Sequence, residues 1–167
     1  LIGKKSIILG SGGAARSVIQ GLIDLKLSKI SIIARNKNSL NDLINDFQNQ
    51  IQIKGFTNDS NQTDYLVEEA DLIVNTTPTG MKRVSNNDDD DFLPFGQEFW
   101  KSLNSDSIIY DLIYNPSPTP LLKFCDTKGC MTIDGTKMLI AQGAKSLSFW
   151  TNGLEVPFEI MHDAIKK

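Results

Sequence analysis

The chain has 167 residues, of which 40% are hydrophobic, and a formal net charge of −3. That is enough for one domain with a substantial core, and the acidic balance argues against a general binder of nucleic acid or anionic membranes. No apolar run approaches the roughly 20 residues that cross a bilayer, and Cys125 and Cys130 have the spacing of neither a disulfide framework nor a zinc site, so two reduced, half-buried thiols and no metal are expected.

Ser6 to Leu9 is a short apolar run that breaks into Gly10-Ser11-Gly12-Gly13-Ala14-Ala15 and then opens an amphipathic segment, Val18 to Leu27. This reads as strand, tight turn and helix. Gly10, Gly12 and Ala15 fit G-x-G-x-x-G/A: one glycine for the turn, one for close approach of a pyrophosphate, and a small residue for helix–strand packing. The helix start offers unpaired N–H groups to phosphate oxygens. Lys29 to Ala34 is the second strand, as a βαβ crossover requires. Where an NAD site carries an acidic residue for the ribose, this chain has Arg35-Asn36-Lys37-Asn38. A carboxylate repels a 2′-phosphate and a guanidinium grips it, so NADP is favoured over NAD.

Ser39 to Phe47 has helical spacing, with Ser39 as its cap, and Ile51 to Phe56 is a third strand. Thr57 to Gln62 reads as loop and Leu66 to Glu69 as a short helix. Ala70 to Asn75 forms a fourth strand that runs into Thr76-Thr77-Pro78-Thr79-Gly80-Met81, small hydroxyl residues where open α/β sheets bind ligands. Asn86 to Asp91 lacks the alternation of a metal loop and reads as solvated. Phe95, Phe99, Trp100 and Leu103 read as core on a short helix within Phe92 to Leu103, not as a stacking platform.

Ser107 to Tyr114 is the fifth strand, Asn115 to Pro120 an irregular proline-rich link, Leu121 to Lys128 a helix stopped by Gly129, and Cys130 to Ile133 a sixth strand. Asp111 and Tyr114 are the polar residues of interest there. Gly135 to Trp150 and Pro157 to Ile165 are helical, and the lone His162 on the last is given no catalytic role. The alternation predicts an α/β, Rossmann-type doubly wound, mainly parallel sheet with helices on both faces.

Four separated stretches together resemble the C-terminal half of shikimate dehydrogenase. They are Gly10 to Arg16; Asn75 to Met81; Tyr110-Asp111-Leu112-Ile113-Tyr114-Asn115-Pro116 with Thr119 to Leu122; and Asp134-Gly135 through Met138-Leu139 and Gln142 to Trp150. The resemblance implies an NADP-dependent oxidoreductase of aromatic amino-acid biosynthesis that interconverts 3-dehydroshikimate and shikimate. It puts Gly10, Ser11, Gly12, Gly13 and Ala14 at the pyrophosphate and Arg35, with Asn36 and Lys37, at the 2′-phosphate. Leu112, Gly135 and Met138 would line the nicotinamide site with Thr76 and Thr77 nearby, and Tyr114 and Gln142 would reach shikimate. The family commonly reads Asn-Arg-Thr-x-x-Lys/Arg after the second strand; here the sequence is Ala34-Arg35-Asn36-Lys37-Asn38-Ser39, so Ser39 replaces a cation for which Lys37 must compensate. The tail Trp150-Thr151-Asn152-Gly153 carries one extra residue.

By the same resemblance residues 1–134 form the NADP-binding domain, and residues 135–167 complete it and contact an N-terminal substrate domain that supplies the Lys and Asp acting on the transferred proton. The chain begins at Leu1 and not Met, and no Ser/His/Asp or Cys/His set is evident, so no catalytic residue is assigned within it. The expected location is the cytoplasm, or the plastid stroma of a eukaryote. An isolated piece would expose an apolar patch around Leu147, Phe149 and Trp150 and self-associate, for instance as a homodimer. The rival readings are a quinate dehydrogenase, a methylene-tetrahydrofolate dehydrogenase or a glutamyl-tRNA reductase on the same fold, or a non-catalytic dinucleotide-binding module; Tyr114 and Gln142 argue against the second and third.

Overall fold

The computed structural model describes residues 2–58, 63–81 and 93–165. Strands β1 (Lys5–Leu9), β2 (Lys29–Ala34), β3 (Gln52–Thr57), β4 (Leu72–Asn75), β5 (Ile108–Asp111) and β6 (Met131–Ile133) alternate with helices. These are α1 (Gly13–Asp24), α2 (Lys37–Phe47), α3 (Thr63–Glu69), α4 (Gly96–Phe99), α5 (Pro120–Thr127), α6 (Thr136–Trp150) and α7 (Phe158–Ile165). The sheet order is β3-β2-β1-β4-β5-β6, and every pairing is parallel. The chain thus starts mid-sheet, winds one way to β3, and crosses back to pair β4 with β1. The β1/β4 boundary is the switch point at whose carboxyl ends such sheets bind ligands.

Burial explains why these runs are strands. Both faces of β1 and β2 are covered, so their sequences read as continuous apolar runs and not as an alternation. Ile8, Ile30, Ile32 and Val74 face one layer, where Ala15, Ile19 and Leu22 of α1 and Leu40, Leu43 and Phe47 of α2 close over them. Ile7, Leu9, Ile33, Ile73 and Ile109 face the other, under Val67 of α3, Phe99 of α4, Trp100, and Leu121, Leu122 and Cys125 of α5. Each such aliphatic side chain contributes about 1.5–3 kcal/mol of burial free energy. The α/β doubly wound architecture expected from the alternation is observed, and the sheet is parallel throughout.

Several boundaries move for local reasons. Helix α1 begins at Gly13, well before Val18, because the small residues of its first turn let it start close to the sheet, with Ala15 already buried. Helix α2 begins at Lys37 and its cap is Asn36, not Ser39: the Asn36 side chain accepts hydrogen bonds from the backbone N–H of Asn38 and Ser39. Strand β5 stops at Asp111, short of Tyr114, because the Asp111 carboxylate takes the Ile113 N–H at 3.1 Å and bends the chain out of the ladder. Helix α4 is a single turn, and Pro157 precedes α7 without joining it. The loop expected at Thr57 to Gln62 begins only after Thr57, and its later residues, with Asn86 to Asp91 and Phe92, lie outside the described residues. Among the described residues no helix is long and apolar enough to cross a membrane.

Both cysteines are free and buried, more deeply than the half-burial expected of them. Burial in an apolar layer pushes the Cys125 thiol up to about 12 and moves Cys130 in the same direction. At about pH 8 Ellman's reagent should therefore modify neither thiol in the folded protein and both in denaturant. Rapid reaction of Cys125 without denaturant would contradict this packing.

Candidate functional site

Gly10 leaves β1 at φ +105, and a Cβ there would stand 2.7 Å from the Thr76 Oγ1, so the glycine serves both the turn and the approach of the β4 end. Its N–H donates to the Ile33 carbonyl at 2.8 Å, tying the turn to β2. Gly12 is the N-cap residue of α1 and makes no side-chain cap bond. A Cβ on Gly12 or Gly13 would meet nothing within 4 Å, so the helix start faces open space. Ala15 is fully buried beneath it. The result is a helix N-terminus with free N–H groups, a positive dipole end and a bare backbone surface that an anion can approach.

Across the turn stands the end of β2. Arg35 and Lys37 are exposed, and among the described residues neither side chain makes a hydrogen bond or ion pair. Asn36 uses its carbonyl oxygen for the α2 cap. The Ser39 hydroxyl, at the place where the resembling family carries a cation, lies 2.7 Å from the Ser11 hydroxyl. Arg16 is engaged elsewhere, in an ion pair with Asp46.

A groove of about 520 Å³ runs between these parts and brings together Gly10, Ser11, Gly12, Arg35, Asn36, Thr76 and Thr77. It is also lined by Asn58, Pro94 and Phe95, which the sequence did not single out for a site. Of these, only Asn58 had a readable signal: it follows the third strand at the ligand-binding end of the sheet. Gly13, Ala14 and Lys37 flank the groove in sequence and do not line it.

The floor is held by a buried polar cluster at the ends of β4 and β5. Asp111, Asn75 and Thr119 are each 0% exposed. The Asp111 carboxylate accepts from the Asn75 Nδ2 at 2.9 Å, the Thr119 Oγ1 at 2.7 Å and the Ile113 N–H. Burial pushes its carboxyl above the ordinary range, and the three hydrogen bonds oppose that shift. The Asn75 Oδ1 in turn accepts from the Thr77 N–H at 3.0 Å and Thr77 Oγ1 at 2.7 Å, while the Thr76 Oγ1 donates to the Leu9 carbonyl at 2.7 Å. Asp111 is thus a positioning residue beneath the groove.

Leu112 and Gly135 meet at the β5–α6 junction. A Cβ on Gly135 would fall 2.0 Å from the Leu112 carbonyl oxygen, so the start of α6 rests directly on the β5 extension. The Gly135 N–H donates to the Ile113 carbonyl at 3.0 Å. Met138 and Gln142 follow at four-residue spacing on α6, hence on one face of it. Tyr114 is 45% exposed beyond Leu112. Leu112, Gly135, Met138, Tyr114 and Gln142 do not line the 520 Å³ groove. His162 stacks on Phe158, away from both regions, with ring centroids 6.1 Å apart.

Comparison with known proteins agrees with the motif reading. Residues 135–166 match the family described as Shikimate 5'-dehydrogenase C-terminal domain. All 167 residues align, at 70% identity, with a shikimate dehydrogenase (NADP(+)) of Prochlorococcus marinus subsp. pastoris, covering 100% of this chain and 58% of that protein. The chain therefore spans less than two thirds of that relative. Among solved structures, shikimate 5-dehydrogenase from Listeria monocytogenes in complex with shikimate and NAD is 26% identical with a TM-score of 0.83, over 98% of this chain and 56% of that one. The Thermus thermophilus enzyme in complex with NADP(H) and shikimate is 25% identical with a TM-score of 0.74, over 96% and 54%. The resemblance carried by the separated motifs is borne out.

Asp111→Ala should lower the unfolding free energy by about 3 kcal/mol or more, since it leaves three buried donors without their acceptor. Urea denaturation measures this, and a loss below about 1 kcal/mol would show that the cluster does not hold the floor.

Proposed function

We propose that this chain is the NADP-holding part of a shikimate dehydrogenase, which reduces 3-dehydroshikimate to shikimate reversibly. The observation that carries the reading is one groove lined both by an open glycine-lined helix start and by Arg35, whose guanidinium has no partner among the described residues. The N–H groups of the α1 first turn suit a pyrophosphate, and Arg35, assisted by Lys37, suits a ribose 2′-phosphate. The alternative cofactor, NAD, lacks that phosphate and would leave two cations without a partner. Bound nicotinamide supplies the hydride.

This chain's own contribution is positional. Asp111 and Asn75 fix the Thr76–Thr77 turn, and Gly135 admits α6 close to Leu112, so that Leu112 and Met138 can flank the nicotinamide. Tyr114 and Gln142, exposed beyond them, are assigned to the shikimate hydroxyls. The proton on the carbonyl oxygen is assigned to the Lys and Asp of an N-terminal substrate domain, in the length of the relatives that this chain does not match. Helices α6 and α7 are assigned to dock against that domain. Leu147, Phe149 and Trp150 supply apolar surface for it, the last two being 83% and 77% exposed. Without that cover the same surface favours a homodimer. The reaction is assigned to the cytoplasm.

Arg35→Ala should weaken NADPH binding about tenfold and NADH binding by less than about twofold, because only NADPH loses a charge-assisted pair. Isothermal titration with both cofactors decides it, and equal losses would remove Arg35 from the 2′-phosphate. In the full-length protein Gln142→Ala should raise KM for shikimate about fivefold with little change in KM for NADP. An unchanged KM for shikimate would take Gln142 out of the substrate site.

A further inference from the structure

Phe95 has a backbone conformation that its role in the core does not require. The Gly96 N–H donates to the Leu93 carbonyl at 3.0 Å, closing a turn with Pro94 and Phe95 at its centre. Phe95 there has φ 63 and ψ 9. With proline second, this is the third position of a type II turn, which favours glycine or asparagine. A bulky aromatic residue at positive φ costs on the order of 1–2 kcal/mol. The next residue, Gly96, is also at positive φ, where glycine carries no such cost.

The turn is firmly seated. The indole N–H of Trp100, itself 0% exposed, donates to the Pro94 carbonyl at 2.8 Å. The Phe95 ring leans on Phe99 at 5.3 Å between centroids, tilted by 48°. It is nonetheless only half-buried, and it lines the groove that also holds Arg35 and Asn58. Phe95 thus shares one groove with the glycine turn and the residues that follow β2. A flat apolar face, an uncharged carboxamide and a guanidinium in one groove suit a planar heteroaromatic base that is tethered to phosphate.

We propose that Phe95 is the stacking platform for the adenine ring of the cofactor and sets how tightly the adenosine half is held. The proposal rests on the nucleotide-binding reading above. Stacking on the exposed part of the ring compensates for the backbone strain at φ 63, and the contact with Phe99 keeps the ring from rotating out of the groove.

The test titrates the full-length protein with NADPH, adenosine 2′,5′-bisphosphate and nicotinamide mononucleotide, comparing wild type with Phe95→Leu, Phe95→Tyr and Arg35→Ala. Phe95→Leu keeps apolar bulk in the turn and removes the flat face. It should raise Kd for adenosine 2′,5′-bisphosphate about tenfold and leave nicotinamide mononucleotide unchanged. Phe95→Tyr, which restores the face, should bring the bisphosphate back to within about twofold of wild type. Unchanged bisphosphate affinity in Phe95→Leu, or an equal loss in Phe95→Tyr, overturns the platform and makes Phe95 a packing residue. If Arg35→Ala weakens NADPH while Phe95→Leu does not, only the platform falls. If wild type binds no NADPH, the nucleotide reading falls with it.

Discussion

A carboxylate with no access to water sits at the end of β5, and the carboxyl-terminal edge of the sheet is built around it. Asp111 accepts from a side chain on β4, a side chain that caps α5, and the backbone that turns away from its own strand. None of those donors has a nearby solvent path, so each would be left unpaired if the carboxylate were absent, at a cost of about 1–3 kcal/mol apiece. The cluster therefore fixes β4, β5 and α5 against one another more sharply than apolar packing does, since a hydrogen bond loses strength within a few tenths of an ångström and a hydrophobic contact slides.

That rigidity passes to the groove in two steps. Asn75 gives its amide N–H to Asp111 and uses its carbonyl oxygen to hold Thr77, so one side chain couples the buried carboxylate to the groove floor. Thr76 then bridges to the end of β1, and its hydroxyl fills the space that a side chain on Gly10 would claim. The glycine turn and the β4 turn are thus one mechanical unit. An error in placing Asp111 would appear as a displaced Thr76 against Gly10.

The parts legible in the sequence were those in which a residue type has one good use at one spacing. Buried parallel strands read as apolar runs because both faces are covered, and Lys29 to Ala34 was placed without error for that reason. The glycine turn is legible from sterics, and the place of Arg35 just past β2 from the apolar run that precedes it. Boundaries decided by side-chain-to-backbone competition were not legible. Asn36 and Ser39 are both good caps, and only the extended backbone at Asn36 decides between them. Leu112 to Tyr114 read as a continuation of β5, because apolar spacing does not show that the Asp111 carboxylate takes the Ile113 N–H and ends the strand. The closeness of Gly135 to Leu112 is tertiary, and its glycine looked like an ordinary helix entrance. Phe95 packs against the core beside Phe99 as its spacing predicts, but apolar spacing does not report its positive φ.

The start of α2 shows how the departure from the family pattern is accommodated. A cation at Ser39 would point at Ser11; the hydroxyl pair found there makes a neutral contact that fastens α2 to the glycine turn. Positive charge is concentrated earlier, on Arg35 before the cap and Lys37 in the first turn, where α2 carries no acidic residue. This is the unfavourable end of the helix dipole for a cation, costing about 0.3–1 kcal/mol for each charge near it. Neither cation has an ion-pair partner among the described residues, so the repulsion at this positive helix end is left uncompensated there. Placing the charges there keeps Ser39 short enough to let Ser11 close against it. The contact that fastens α2 to the glycine turn and the positive charge at the strand end thus rest on different residues.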